Sequence, residues 1–224
     1  MKHNRALIFG HNDYSIEIEK NISSSYDSVD IFRLNEDGEF GFDLSDNWDI
    51  LRTRVDIQKC IVFCVLEDMA ENIFLTISLR DTFKDLVIVA LAQDKESSDK
   101  LTLAGATKVI PTIQTTADII VDILQKPIVT KILHNILYEK SDLQIAQIKI
   151  ENHHLFREKH PVDIDWSKEH GIILISIVHE DMSSKFIYAS REIHHHITNG
   201  DIFVVVGYEK DIIKFEKLAG SRCE

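Results

Sequence analysis

Short apolar, β-branched runs alternate with segments of helical spacing through the first half of the chain, and this alternation constrains the fold more than any other feature. Candidate strands cover residues 6 to 9, 29 to 32, 61 to 65, 87 to 92 and 108 to 110. Between them, Ala70, Ile73, Phe74 and Ile77 recur at helical spacing, and residues 95 to 103 form a second helical segment that ends at Ala104-Gly105. Strand-helix alternation of this kind predicts a doubly wound parallel sheet, hence an α/β fold. The ligand crevice of such a sheet lies where the strand order reverses, here beyond the first strand and the 61 to 65 strand, near Gly10 and Leu66.

From about residue 112 to 137 the pattern becomes two consecutive helices, with Pro127 in the first turn of the second. That second helix carries Val129, Ile132, Leu133 and Ile136 on one stripe, widened by Ile128 and Leu137. Such a connector either exposes apolar surface to a second subunit or packs on its own lobe. Beyond residue 139 the style changes again. Residues 143 to 149 alternate as a strand, 172 to 178 and 201 to 207 are apolar runs, a short helix falls near 165 to 169, and a final helix covers 210 to 218. The expected organisation is a first α/β lobe (1–111), a helical crossover (112–140) and a small α+β lobe (141–224).

The chain has 37 acidic residues against 25 Lys and Arg, a net charge of −12. That balance repels a polyphosphate backbone and argues against nucleic acid as a partner. No apolar run approaches the roughly 20 residues that span a bilayer, and residues 1 to 5 are too polar for a signal peptide, so a cytoplasmic location is expected. Cys60 and Cys64 fall on one face of a strand but ~13 Å apart, too far for a disulfide or a shared metal. With Cys223, these thiols suit a reducing compartment.

Several segments resemble the RCK family, the regulators of potassium conductance found in potassium channels and potassium uptake systems. Residues 42 to 46, Phe-Asp-Leu-Ser-Asp, resemble that family's Gly-Asp-Ala-Thr-Asp, and Glu71-Asn-Ile-Phe follows a strand as it does there. Residues 100 to 110, Lys-Leu-Thr-Leu-Ala-Gly-Ala-Thr-Lys-Val-Ile, are similar to its Lys-Leu-x-x-Ala-Gly-Ala-x-x-Val-Ile. In the second lobe, Gln147-Ile-Lys-Ile and residues 200 to 207, Gly-Asp-Ile-Phe-Val-Val-Val-Gly, resemble the opening and closing strands of the family's C-terminal subdomain. The resemblance implies a Rossmann-like first lobe, a homodimer commonly built into an octameric ring, and control of a separate potassium-conducting pore at the inner face of the membrane. It implies no catalytic residues. In physical terms, Gly105 can take a positive φ and let a helix end tightly against the sheet.

Family members hold NAD or an adenine nucleotide at a Gly-x-Gly-x-x-Gly loop after the first strand. The matching residues here are Gly10-His11-Asn12-Asp13-Tyr14-Ser15, which keep only the first glycine and bring a carboxylate toward the pyrophosphate position. By the same carry-over Arg33 stands where an acid meets ribose hydroxyls, Asp43 contacts adenine or ribose, and Leu66 lines the crevice. Arg33 equally suits a solvated strand end, and Asp43 a turn. Calcium-gated relatives carry carboxylates where this chain has Val65, Leu91 and Gln93, so calcium is not expected there. Glu67 and Asp68, just past the strand, suit a helix start.

Eight of the 11 histidines follow residue 150, including His153-His154 and His194-His195-His196. Two of the run joined by another residue make a transition-metal site, whereas a solvated loop needs no ligand. Charging every histidine would move the net charge from −12 to −1, which makes assembly sensitive to acid. Two other functions share this fold: an NAD(P)-dependent oxidoreductase, which needs an intact phosphate loop and a hydride-handling group, and an interaction module without a small ligand.

Overall fold

The computed structural model describes residues 4–54, 56–138, 142–156, 160–179, 184–186 and 197–220. The strand runs read from the sequence become a six-stranded sheet: β1 (Arg5–Phe9), β2 (Ser28–Leu34), β3 (Gly41–Phe42), β4 (Cys60–Cys64), β5 (Val87–Ala92) and β6 (Lys108–Pro111). They lie in the order β3-β2-β1-β4-β5-β6, and every neighbouring pair is parallel. Helices α1 (Asp13–Ile22), α2 (Asp49–Arg54), α3 (Met69–Thr82), α4 (Lys95–Leu103), α5 (Thr112–Gln125) and α6 (Pro127–Tyr138) follow in turn. The chain divides into two compact units, 1–122 and 123–224.

Ala6 and Ile8 of β1 are buried on one face of the sheet, and one apolar cluster of the first unit forms on the other. Leu7 and Phe9 of β1, Val62 and Cys64 of β4, and Ile88 and Ala90 of β5 meet Leu75 and Leu79 of α3 there. Burial in that core pushes the Cys64 thiol up to about 12 and the Cys60 thiol up to about 11, so both stay protonated at neutral pH. Asp94 caps α4 by accepting the Ser97 N–H at 2.7 Å, and those bonds from Ser97 hold its carboxyl below the usual range. The α4 turn needs its glycine: Gly105 has φ +98°, and a Cβ there would lie 2.5 Å from Arg80 Cγ.

The second unit carries an antiparallel four-stranded sheet in the order β7-β10-β8-β9, built from β7 (Leu143–Lys149), β8 (Ile172–Val178), β9 (Ser184–Phe186) and β10 (Ile202–Tyr208). Helices α7 (Trp166–His170) and α8 (Glu209–Ala219) complete it. Phe156, Trp166, Phe203 and Phe215 fill its core, with the Trp166 indole N–H donating to the Pro161 carbonyl at 2.7 Å. Asp201, only 2% exposed, ties the turn before β10: its carboxylate accepts the Thr198 N–H at 2.9 Å and lies 3.0 Å from His179 Nδ1.

Neither α5 nor α6 contains a buried residue. Leu124 is 76% exposed and Ile128 74%, and Ile120, Ile132 and Leu133 are also open. Among the described residues no helix is long and apolar enough to cross a membrane.

Candidate functional site

A crevice of 480 Å³ opens beyond the carboxyl ends of β1, β4, β5 and β6, the place where the strand order reverses around β1. Asn12, Asp13 and Tyr14 at the start of α1 form one wall. Val65, Leu66, Glu67 and Met69 continue from β4, and Leu91, Ala92 and Gln93 from β5. Thr112 and Ile113, at the start of α5, close the remaining side. Among the described residues the lining includes two carboxylates, and no lysine, arginine, histidine or cysteine.

The loop from β1 into α1 is held by its own side chains. Asn12 caps α1, its Oδ1 accepting the Ser15 N–H at 3.1 Å, while Ser15 Oγ accepts the Asn12 N–H at 2.9 Å. Asn12 Nδ2 donates to the Val65 carbonyl at 2.6 Å and so binds the loop to the end of β4. Gly10, at φ +125°, permits this approach, because a Cβ there would sit 3.0 Å from the Val65 main chain. The capping box occupies the Asn12 and Ser15 amides and leaves the Asp13 and Tyr14 amides at the helix tip. Asp13 and Tyr14 are exposed there, and Ser15 is buried.

On the opposite wall the decisive residue is Asn72, fully buried in α3. Its Oδ1 accepts the Leu66 N–H at 3.2 Å, and its Nδ2 donates to the carbonyls of Cys64 at 3.3 Å and Leu91 at 3.1 Å. It therefore fixes the ends of β4 and β5 relative to each other. Gln93 Nε2 donates to the Glu67 carbonyl at 3.1 Å, and Thr112 Oγ1 to the Ala92 carbonyl at 3.1 Å.

Of the residues read from the sequence, Asn12, Asp13 and Leu66 line the crevice. Gly10 and Ser15 support it from within the loop, and His11 is exposed beside it. Arg33 and Asp43 belong to the β2–β3 side and do not line it. Arg33 Nη1 lies 3.4 Å from Glu36 Oε2 at the surface. Asp43 accepts the Ser45 N–H at 2.7 Å and the Ser45 hydroxyl at 2.6 Å, and these bonds hold its carboxyl below the usual range. That side is filled by aromatic rings: Phe9 stacks on Phe32 at 4.8 Å and meets Phe42 and Trp48 edge-on at 5.1 and 5.6 Å. The Trp48 indole N–H donates to Ser78 Oγ at 2.7 Å. Only about 50 Å³ of cavity remains beside Phe32, Phe42 and Trp48.

Val65, Leu91 and Gln93 stand in the crevice wall, where they offer no carboxylate oxygen to calcium. Among the described residues no three or more histidine, cysteine, aspartate or glutamate side chains gather as a metal site. His194–His196 lie outside the described residues. The roles of Asn72, Thr112 and Trp48 were not read from the sequence. A lone Asn between Ala70, Ile73 and Thr76 was the available signal for the first.

Residues 49–112 match the TrkA-N domain family, a span that takes in the β4 and β5 walls of the crevice and follows the 10–15 loop. No curated protein sequence matches the chain. Among solved structures, the human SLO3 gating ring superposes with a TM-score of 0.62 at 12% identity, over 94% of this chain and 45% of that one. The GsuK RCK domain aligns at 17% identity with a TM-score of 0.47, over 99% of this chain and 48% of that one. The GsuK channel bound to NAD aligns at 16% identity with a TM-score of 0.46, over 98% and 39%. The chain thus spans less than half the length of these structures. With the 3-2-1-4-5-6 parallel sheet, a second antiparallel unit and the SLO3 superposition agreeing, the chain has the fold of an RCK domain, and its residues 49–112 match the TrkA-N family.

Proposed function

We propose that this chain is a cytoplasmic regulatory domain that gates a potassium channel or potassium uptake system, with a ligand of the nucleoside or nucleotide class in the first-unit crevice as its signal. The observation that carries the reading is the open crevice at the switch point of a sheet with the RCK fold. Ligand occupancy shifts paired domains between two arrangements, and that shift acts on a pore supplied by a membrane partner. The exposed apolar faces of α5 and α6 support self-association through the helical arm of residues 112–140, between lobes of residues 1–111 and 141–224. The GsuK structures include complexes with NAD and with ADP, which favours this ligand class. The assignment is non-enzymatic. A dinucleotide-dependent oxidoreductase needs an intact phosphate loop, and residues 10 to 15 keep only its first glycine.

Disrupting the gene in its host and following rubidium-86 uptake tests the proposal. Lost or deregulated uptake at limiting potassium is expected. Unchanged uptake and unchanged growth at limiting potassium would refute a role in potassium transport.

A further inference from the structure

Resting on that reading, we infer that the crevice takes a phosphate-free nucleoside, neutral or cationic, and rejects the phosphorylated members of the same class. The charge of the lining decides between the two. Asn12, Gln93 and Thr112 of the lining each donate one bond to a main-chain carbonyl, those of Val65, Glu67 and Ala92, which leaves a second N–H on each amide and the Tyr14 hydroxyl as uncharged donors. The Ser15 and Asn12 amides of the helix tip are taken by the capping box. The charged side chains among the described lining residues are both anionic, the carboxylates of Asp13 and Glu67.

A phosphate brings negative charge, so it meets repulsion from both carboxylates and finds no basic side chain among the described lining residues. The Asp13 and Tyr14 amides remain at the tip of α1, but the Asp13 carboxylate occupies the same turn and opposes an anion there. A ribose offers hydroxyl donors that a carboxylate accepts well. The apolar side chains of Leu66, Met69, Leu91 and Ile113 provide surface for a base. Replacing the second and third phosphate-loop glycines by Asn12 and Ser15, with Asp13 between them, is therefore a change of ligand chemistry with the crevice retained.

Isothermal titration of the full chain with adenosine, nicotinamide riboside, ADP and NAD tests this. Adenosine and nicotinamide riboside are expected to bind, with ADP and NAD weaker by on the order of tenfold or more, the ratio for one charge pair about 10 Å apart near a protein surface. Asp13→Asn and Glu67→Gln, both at exposed positions, should narrow that ratio without moving the melting temperature. ADP or NAD binding as tightly as adenosine would overturn the inference while leaving a nucleotide-gated regulator intact. An unchanged ratio in both variants would overturn it as well. Failure of all four compounds to bind would also overturn it, and rubidium uptake in the disrupted host would still decide the regulatory role independently.

Discussion

On either side of β1 the carboxyl edge of the first sheet is finished differently. Toward β2 and β3, Phe9, Phe32, Phe42 and Trp48 close the edge with packed rings. Toward β4, β5 and β6 the edge stays open over 480 Å³, and the main chain beside it is pinned by Asn12 and Asn72. In a dinucleotide-binding sheet both halves accept ligand, one for each nucleotide. Here one half is filled by packed rings, and the other keeps an open crevice.

The largest effect that would break this contrast comes from Trp48→Ala. Removing a buried ring from the filled half should cost about 3–5 kcal/mol in urea denaturation. A loss below about 1 kcal/mol would mean that the half is not packed as core. Asn72→Ala comes next. It leaves the Leu66 N–H and the Cys64 and Leu91 carbonyls without this partner, so a loss of roughly 1–3 kcal/mol is expected, together with weaker nucleoside binding. Asn12→Ala removes a helix cap and should cost about 1 kcal/mol. Because it also releases the Ser15 amide, it should improve ADP binding relative to adenosine.

The strands of the first sheet were legible because β-branched runs such as 87 to 92 have a short period and clear polar borders. The helix start at residue 13 was not. Ile16 and Ile18 are spaced as a strand would space them, and the helix is set by the Asn12–Ser15 capping box. β3 has two residues and α2 six, too few for either period to show. At the site, the strand order placed Leu66 and the family's glycine loop placed Asn12 and Asp13, and all three line the crevice. Arg33 and Asp43 were placed by family motif alone, and they belong to the half of the edge that aromatic residues fill. The role of Asn72 depends on two carbonyls, eight and nineteen residues away, converging on one side chain. The lone Asn within Glu71-Asn-Ile-Phe marks the residue, but no local pattern names its distant partners.

The most direct test of the asymmetric edge is to locate a bound ligand by amide chemical-shift changes in the full chain titrated with adenosine. The expected result is a set of shifts at 12–14, 65–67, 91–93 and 112–113, with 33 and 43–48 unmoved. Shifts centred on Arg33, Asp43 and Trp48, with the crevice silent, would contradict it.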